Sequence, residues 1–181
     1  NVKANNPEKT MGFTTGLRTS KLNWFNTYYV GNEKNDTLNG VKIQAKGLRH
    51  FYDTVLALNP NGQVSGSINF DYGVEKFAGA GSAKFYGTSI ALRALAGEHF
   101  AVSPRYDWYK DRDGFITGAE RTMQEFTLTG EHRMMEWFLL WVEYRRDWSS
   151  TPFYDRGNEA ASGKNMNTFL VGFVVYLNPG H

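Results

Sequence analysis

The sequence predicts an all-β protein, an antiparallel up-and-down transmembrane β-barrel, and three observations carry that expectation. Apolar and polar residues alternate at a period of two through most of the 181 residues, the alternating segments are long, and short and long connections follow one another in turn. About nine such segments are present, each of about 10 to 13 residues, twice the usual length of a soluble strand. At about 3.3 Å per residue and a tilt near 40°, a strand of that length climbs about 25 to 30 Å, the height of a bilayer's hydrocarbon core.

Composition agrees with one β domain spanning residues 1–181. Neither a linker-like stretch nor an internal repeat divides the chain. The formal charge of +2 with scattered basic residues leaves no footprint for nucleic acid. Cysteine is absent, which excludes disulfides and thiolate metal sites. No apolar run approaches a spanning helix of about 18 residues. Aromatic residues reach 15% beside 19 glycines, and the mean hydropathy is −0.50, so apolar surface is spread along the chain.

The segments follow in order. "MGFTTGLRTS" (Met11 to Ser20), "LNWFNTYYVG" (Leu22 to Gly31) and "GLRHFYDTVLAL" (Gly47 to Leu58) read as the first three strands. In "QVSGSINFDYGVE" (Gln63 to Glu75), Val64, Ile68, Phe70, Tyr72 and Val74 share one face and Ser65, Ser67, Asn69, Asp71 and Glu75 the other. Tyr86, Thr88, Ile90, Leu92 and Ala94 then oppose Phe85, Gly87, Ser89, Ala91 and Arg93, and Phe100, Val102, Pro104, Tyr106 and Trp108 oppose Ala101, Ser103, Arg105, Asp107 and Tyr109. Met123, Glu125, Thr127, Thr129 and Glu131 face away from Phe126 and Leu128. "EWFLLWVEYRRDW" (Glu136 to Trp148) and "NTFLVGFVVYL" (Asn167 to Leu177) complete the set. Short turns are expected at Ser20-Lys21, "NPNG" (Asn59 to Gly62), "AGE" (Ala96 to Glu98) and "HRMM" (His132 to Met135). Long polar loops are expected over Asn32 to Ala45, Lys76 to Ala83, Asp111 to Arg121 and Ser149 to Asn165. Antiparallel neighbours reverse direction, so all short turns gather at one end and all long loops at the other. Tyr72, Tyr86, Trp108, Tyr144 and Trp148 stand near the long-loop end on the apolar face, where an interfacial girdle belongs. Arg146 shares that face and is expected at the external interface, its head reaching headgroups.

"YKDRDGFITGAE" (Tyr109 to Glu120) has most of a calcium loop, with Asp111, Asp113 and Glu120 at positions three, five and twelve around Gly114. Position one is Tyr109, a poor ligand for a hard cation, and both flanks are strands instead of helices. A hairpin connection is expected.

The chain from Phe85 onward carries "FYGTSIALRALAGEHFAVSPRYDWYKDRDGFITG", "QEFTLTGEH", "VEYRRDWSSTPFYDRG" and "KNMNTFLVGFVVYL". Together these resemble the OmpL-like β-barrel porin family of Gram-negative bacteria, over roughly Gly47 to Leu177 and as a C-terminal portion of longer members. The resemblance implies an outer-membrane pore and brings no catalytic residues. Two departures stand out: members are generally longer, and the chain ends in "NPGH" instead of the terminal aromatic common to such barrels.

No enzyme or cofactor is expected. His99 and His132 belong at the short-turn end, His181 is terminal, and His50 stands at a long-loop end without an evident nucleophile and acid. The polar face is more informative. A hairpin centred near Ile116 sets Asp107 opposite Glu125, and a turn near Met134 sets Glu125 opposite Glu143, with Arg105 and Arg145 two residues away. The expected pore-lining set is Asp71, Arg93, Arg105, Asp107, Glu125, Glu131, Glu143, Arg145 and Asp147. Such a belt would stiffen the wall by ion pairing, screen permeating solutes, or do both.

The expected function is a passive outer-membrane porin for small polar solutes; the alternative is a non-conducting barrel that presents loops or sheathes a partner. Expected partners are outer-membrane lipid, the remaining strands of a larger barrel from the same gene or a second chain, and further copies in a homo-oligomer. An odd sheet of about nine strands would otherwise leave two unpaired edges in lipid.

Overall fold

The computed structural model describes residues 9–32, 37–38, 41–42, 47–59, 61–77 and 81–177. Nine long strands form one antiparallel sheet: β1 (Met11–Arg18), β2 (Leu22–Gly31), β5 (Arg49–Leu58), β6 (Val64–Phe77), β7 (Gly81–Ala96), β8 (Phe100–Asp111), β9 (Arg121–Met135), β10 (Phe138–Ser149) and β13 (Asn165–Val175), each hydrogen-bonded to the next. Two small hairpins, β3 (Thr37–Leu38) with β4 (Val41–Lys42) and β11 (Tyr154–Arg156) with β12 (Glu159–Gly163), stand on long connections. Among the described residues no helix forms, and β1 and β13 are the sheet's two edges.

The period of two becomes two unlike faces. One carries Ile68, Phe70, Ile90, Leu92, Val102, Val142 and Phe173, all exposed although apolar, and among the described residues no layer packs against them. A soluble sandwich would bury these side chains; a barrel wall presents them to lipid. Tyr72, Tyr86 and Trp108 follow one another on this face with ring centroids 6.5 and 5.5 Å apart, and Tyr106 meets Trp148 at 6.3 Å. Tyr144 lies nearer the middle of β10 than the girdle placement anticipates, and its hydroxyl bonds Asn167 at 2.9 Å. Arg146 is exposed on this face beside Phe126 and Asn167.

Three connections differ from the sequence-based expectation. The turn is not "HRMM" but Glu136-Trp137, because β9 continues to Met135 and pairs it with Phe138. Its apolar residues extend the strand where the expectation had ended it. Lys76 to Ala83 is not a long loop, since β6 runs to Phe77, which pairs with Gly81; residues 78–80 lie outside the described residues. The Ser149 to Asn165 connection folds its own hairpin, β11–β12. Most of the Asn32 to Ala45 connection lies outside the described residues.

Candidate pore-lining face

The sheet's second face is built by register. Asp107 pairs with Glu125, as expected from the loop centre at Ile116. Glu125 does not pair with Glu143: the turn lies further along, so Glu125 pairs with Asp147 and Glu143 with Thr129. The shift is an even number of residues, so every side chain keeps its face while its neighbours change. Asp107, Glu125 and Asp147 thus form an acidic row across β8, β9 and β10, and Arg105, Thr127 and Arg145 form the adjoining row.

The arginines sit among these carboxylates. Arg145 reaches both Glu125 and Asp147 at 2.7 Å, and Arg105 pairs with Asp107 at 2.8 Å. Thr127 donates to Glu125 and Thr129 to Glu143, each at 2.8 Å. Three aligned carboxylates repel in a confined space, and the cations between them offset that cost. Nearer the short-turn end Arg93 binds Glu131 through Nε at 3.2 Å and Nη2 at 2.7 Å. It reaches across β8, where the β7–β8 ladder omits Leu92 and Arg93 opposite Pro104 and Ser103, and Pro104 has no N–H to give. Asp71 stands apart, facing Asp53 directly, and Asn69 donates to Asp53 at 2.7 Å.

Sequence reasoning missed Asp53 and the pair Arg49–Glu75, joined at 2.5 Å with Glu75 buried. Both lie on the same face of β5 and β6, and carrying the alternation through "GLRHFYDTVLAL" would have found the β5 members. It also missed a row of rings, Tyr29, Phe51, Phe85 and Tyr109, with successive centroids 6.5, 6.2 and 6.5 Å apart. Gly73 makes the row continuous: a Cβ there would lie 2.0 Å from the Phe85 ring, which covers the bare backbone.

The calcium-like stretch forms the connection from β8 to β9. The Asp111 carboxylate, fully buried, accepts from the N–H groups of Phe115, Ile116 and Thr117 at 2.7 to 3.0 Å and from the Thr117 hydroxyl at 2.9 Å. Asp113 accepts from the Lys84 N–H at 2.8 Å, and Glu120 pairs with Lys110 at 2.7 Å. Gly114 has φ +69° and no room for a Cβ against Ala119. The loop leans over the charged face: Phe115 meets Phe77 of β6 edge-on at 5.6 Å and lies 5.5 Å beneath the Arg49 guanidinium of β5. From the other side, burial pushes the Tyr154 phenol above its ordinary value, and Asp147 adds to that shift. Tyr28 and His50 bond at 2.5 Å on the apolar face, and His132 stacks on Phe100 at 4.2 Å.

The family model described as "Putative beta-barrel porin-2, OmpL-like" matches residues 1–177. That match is wider than the Gly47 to Leu177 stretch whose motifs pointed to it. Comparison with curated protein sequences finds no match. Among solved structures, the chain is similar to the outer-membrane expressed OmpT of Vibrio cholerae, with TM-score 0.65 and 14% identity, covering 94% of this chain and 56% of that one. An in-vitro folded OmpT of the same organism gives TM-score 0.62 at 14% identity over 94% and 56%. The NanC porin gives TM-score 0.60 at 10% identity over 94% and 79%. The chain thus spans little more than half of the OmpT chains it matches. The shared fold is that of the outer-membrane β-barrels.

Proposed function

The chain belongs to the OmpL-like β-barrel porin family, and from that membership we propose that it forms part of a passive diffusion channel for small polar solutes in the outer membrane of a Gram-negative bacterium. The observation that carries this reading is the contrast of faces: exposed Ile, Leu, Val and Phe on one side, and the Arg105, Asp107, Glu125, Arg145, Asp147 belt on the other. Charges on a lipid face cost about 2 to 4 kcal/mol each at mid-depth, which favours the belt on a water-filled lumen. The expected lining set of Asp71, Arg93, Arg105, Asp107, Glu125, Glu131, Glu143, Arg145 and Asp147 shares that face by register. Its carboxylates outnumber its guanidiniums, which favours cations over anions in transit. Passage requires no catalytic step and no cofactor.

The edges β1 and β13 run in the same direction, as the first and last of nine strands in an antiparallel order. An all-antiparallel barrel that contains them takes an odd number of further strands between them, from the same polypeptide or from a partner chain. A second reading, a barrel that sheathes a partner, draws support from Leu170 and Val174, which are exposed on the belt's face of β13. Planar-bilayer recording of the complete barrel separates the two. Steady unitary current steps are expected of a channel, and a silent membrane would favour the sheath.

A further inference from the structure

Arg121, the first residue of β9, is only 8% exposed. A guanidinium keeps its proton at any physiological pH, so burial leaves a full positive charge that calls for an anion. Among the described residues Arg121 joins no ion pair. The carboxylate opposite it in the ladder, Asp111, is saturated by four donors of its own loop. The Arg121 Nε and Nη1 are both buried without a hydrogen-bond partner, and so are the hydroxyls of Tyr109, Ser149 and Thr151. These groups stand on one face of the sheet, in adjoining rows. Tyr109 and Ser149 flank Met123 on either side in one row, and Arg121 is the next residue of β9 on that face. One further step of the β9–β10 register, where the Ser150 N–H donates to the Thr122 carbonyl at 2.9 Å, sets Thr151 beside Arg121. Phe153 covers the guanidinium with its ring centroid 4.5 Å from Cζ.

Five orphaned N–H and O–H groups around one unpaired cation are the donor set of an oxyanion site, and we propose that this recess at the long-loop end of β8, β9 and β10 binds a small oxyanion, the carboxylate or phosphate group of a solute. Arg121 supplies charge and two donors, while Tyr109, Ser149 and Thr151 complete the oxygens' bonding. Phe153, itself partly exposed, is the residue that moves for exchange. Binding here is independent of conduction, so a silent barrel would retain it. Calorimetric titration of the refolded full-length protein with inorganic phosphate, and separately with acetate, tests the site. Saturable one-site binding of either anion is expected, phosphate alone marking phosphorylated solutes and acetate marking carboxylates. Loss of charge-assisted bonds in Arg121→Gln should weaken it about tenfold or more. The Ser149→Ala/Thr151→Val variant changes no charge and keeps the assay readable if Arg121→Gln does not refold; about threefold to tenfold weaker binding is expected of it. Absence of saturable binding by both anions, as when water alone fills the recess, would overturn the proposal. So would unchanged affinity in a folded variant.

Discussion

Whether a carboxylate is free for a ligand depends on which donors already surround it, and the two acidic groups most conspicuous in the sequence are used differently. Asp111 organises its own loop through three backbone N–H groups and the Thr117 hydroxyl. In Asp111→Asn one oxygen acceptor becomes a donor facing N–H groups, and the loss should be about 2 to 3 kcal/mol, confined to the loop. Faster proteolysis across residues 112–120 with unchanged sheet stability is the outcome to look for. Glu125 and Glu143 face the proposed lumen, each accepting from a neighbouring threonine hydroxyl. Replacing both by Gln removes two negative charges while Arg105 and Arg145 stay, so the reversal potential in a salt gradient should move toward anion preference. An unmoved potential would leave the belt a purely structural network.

At the scale of a strand, adjacent residues meet opposite environments. Ile90 is exposed on the apolar face and Ser89 turns to the belt's face between Asn69 and Asp107. Ile90→Arg should therefore cost about 2 to 4 kcal/mol in folding into bilayers, and Ser89→Arg well under half of that. Comparable urea midpoints for the two would contradict the face assignment. Between strands, Gly73 and the Phe85 ring form one joint. Gly73→Ala should destabilise by about 1 to 3 kcal/mol through overpacking, and much less in a Phe85→Ala background. Additive losses in that double-mutant cycle would mean that the ring does not rest on the glycine.

For the whole molecule the open question is what lies between β1 and β13. Cysteine is absent from the chain, so engineered pairs report on proximity without background. Single cysteines placed in turn along β1, each combined with Thr168→Cys on β13, should form no disulfide, because Cα atoms more than about 7 Å apart cannot be bridged. Efficient cross-linking at any register would mean that the nine strands close on themselves and that no further strand intervenes.

The alternation of residue types by itself determined the nine long strands and their faces, because a period of two is a local property that survives any register. It also sufficed to read the calcium-like stretch as a hairpin connection, since strand flanks are visible without coordinates. Register was a different matter. It hangs on the turn, and placing that turn at "HRMM" instead of Glu136-Trp137 gave Glu125 the wrong neighbour while leaving it on the right face. Only the tertiary structure decided that Asp147 completes the acidic row, that Arg145 bridges two strands, that Phe115 reaches from the β8–β9 loop to β5, and that Arg121 is buried beneath Phe153. Each of these joins residues through space across strands or loops, and neither the spacing nor the chemistry of a linear sequence records where a loop folds back.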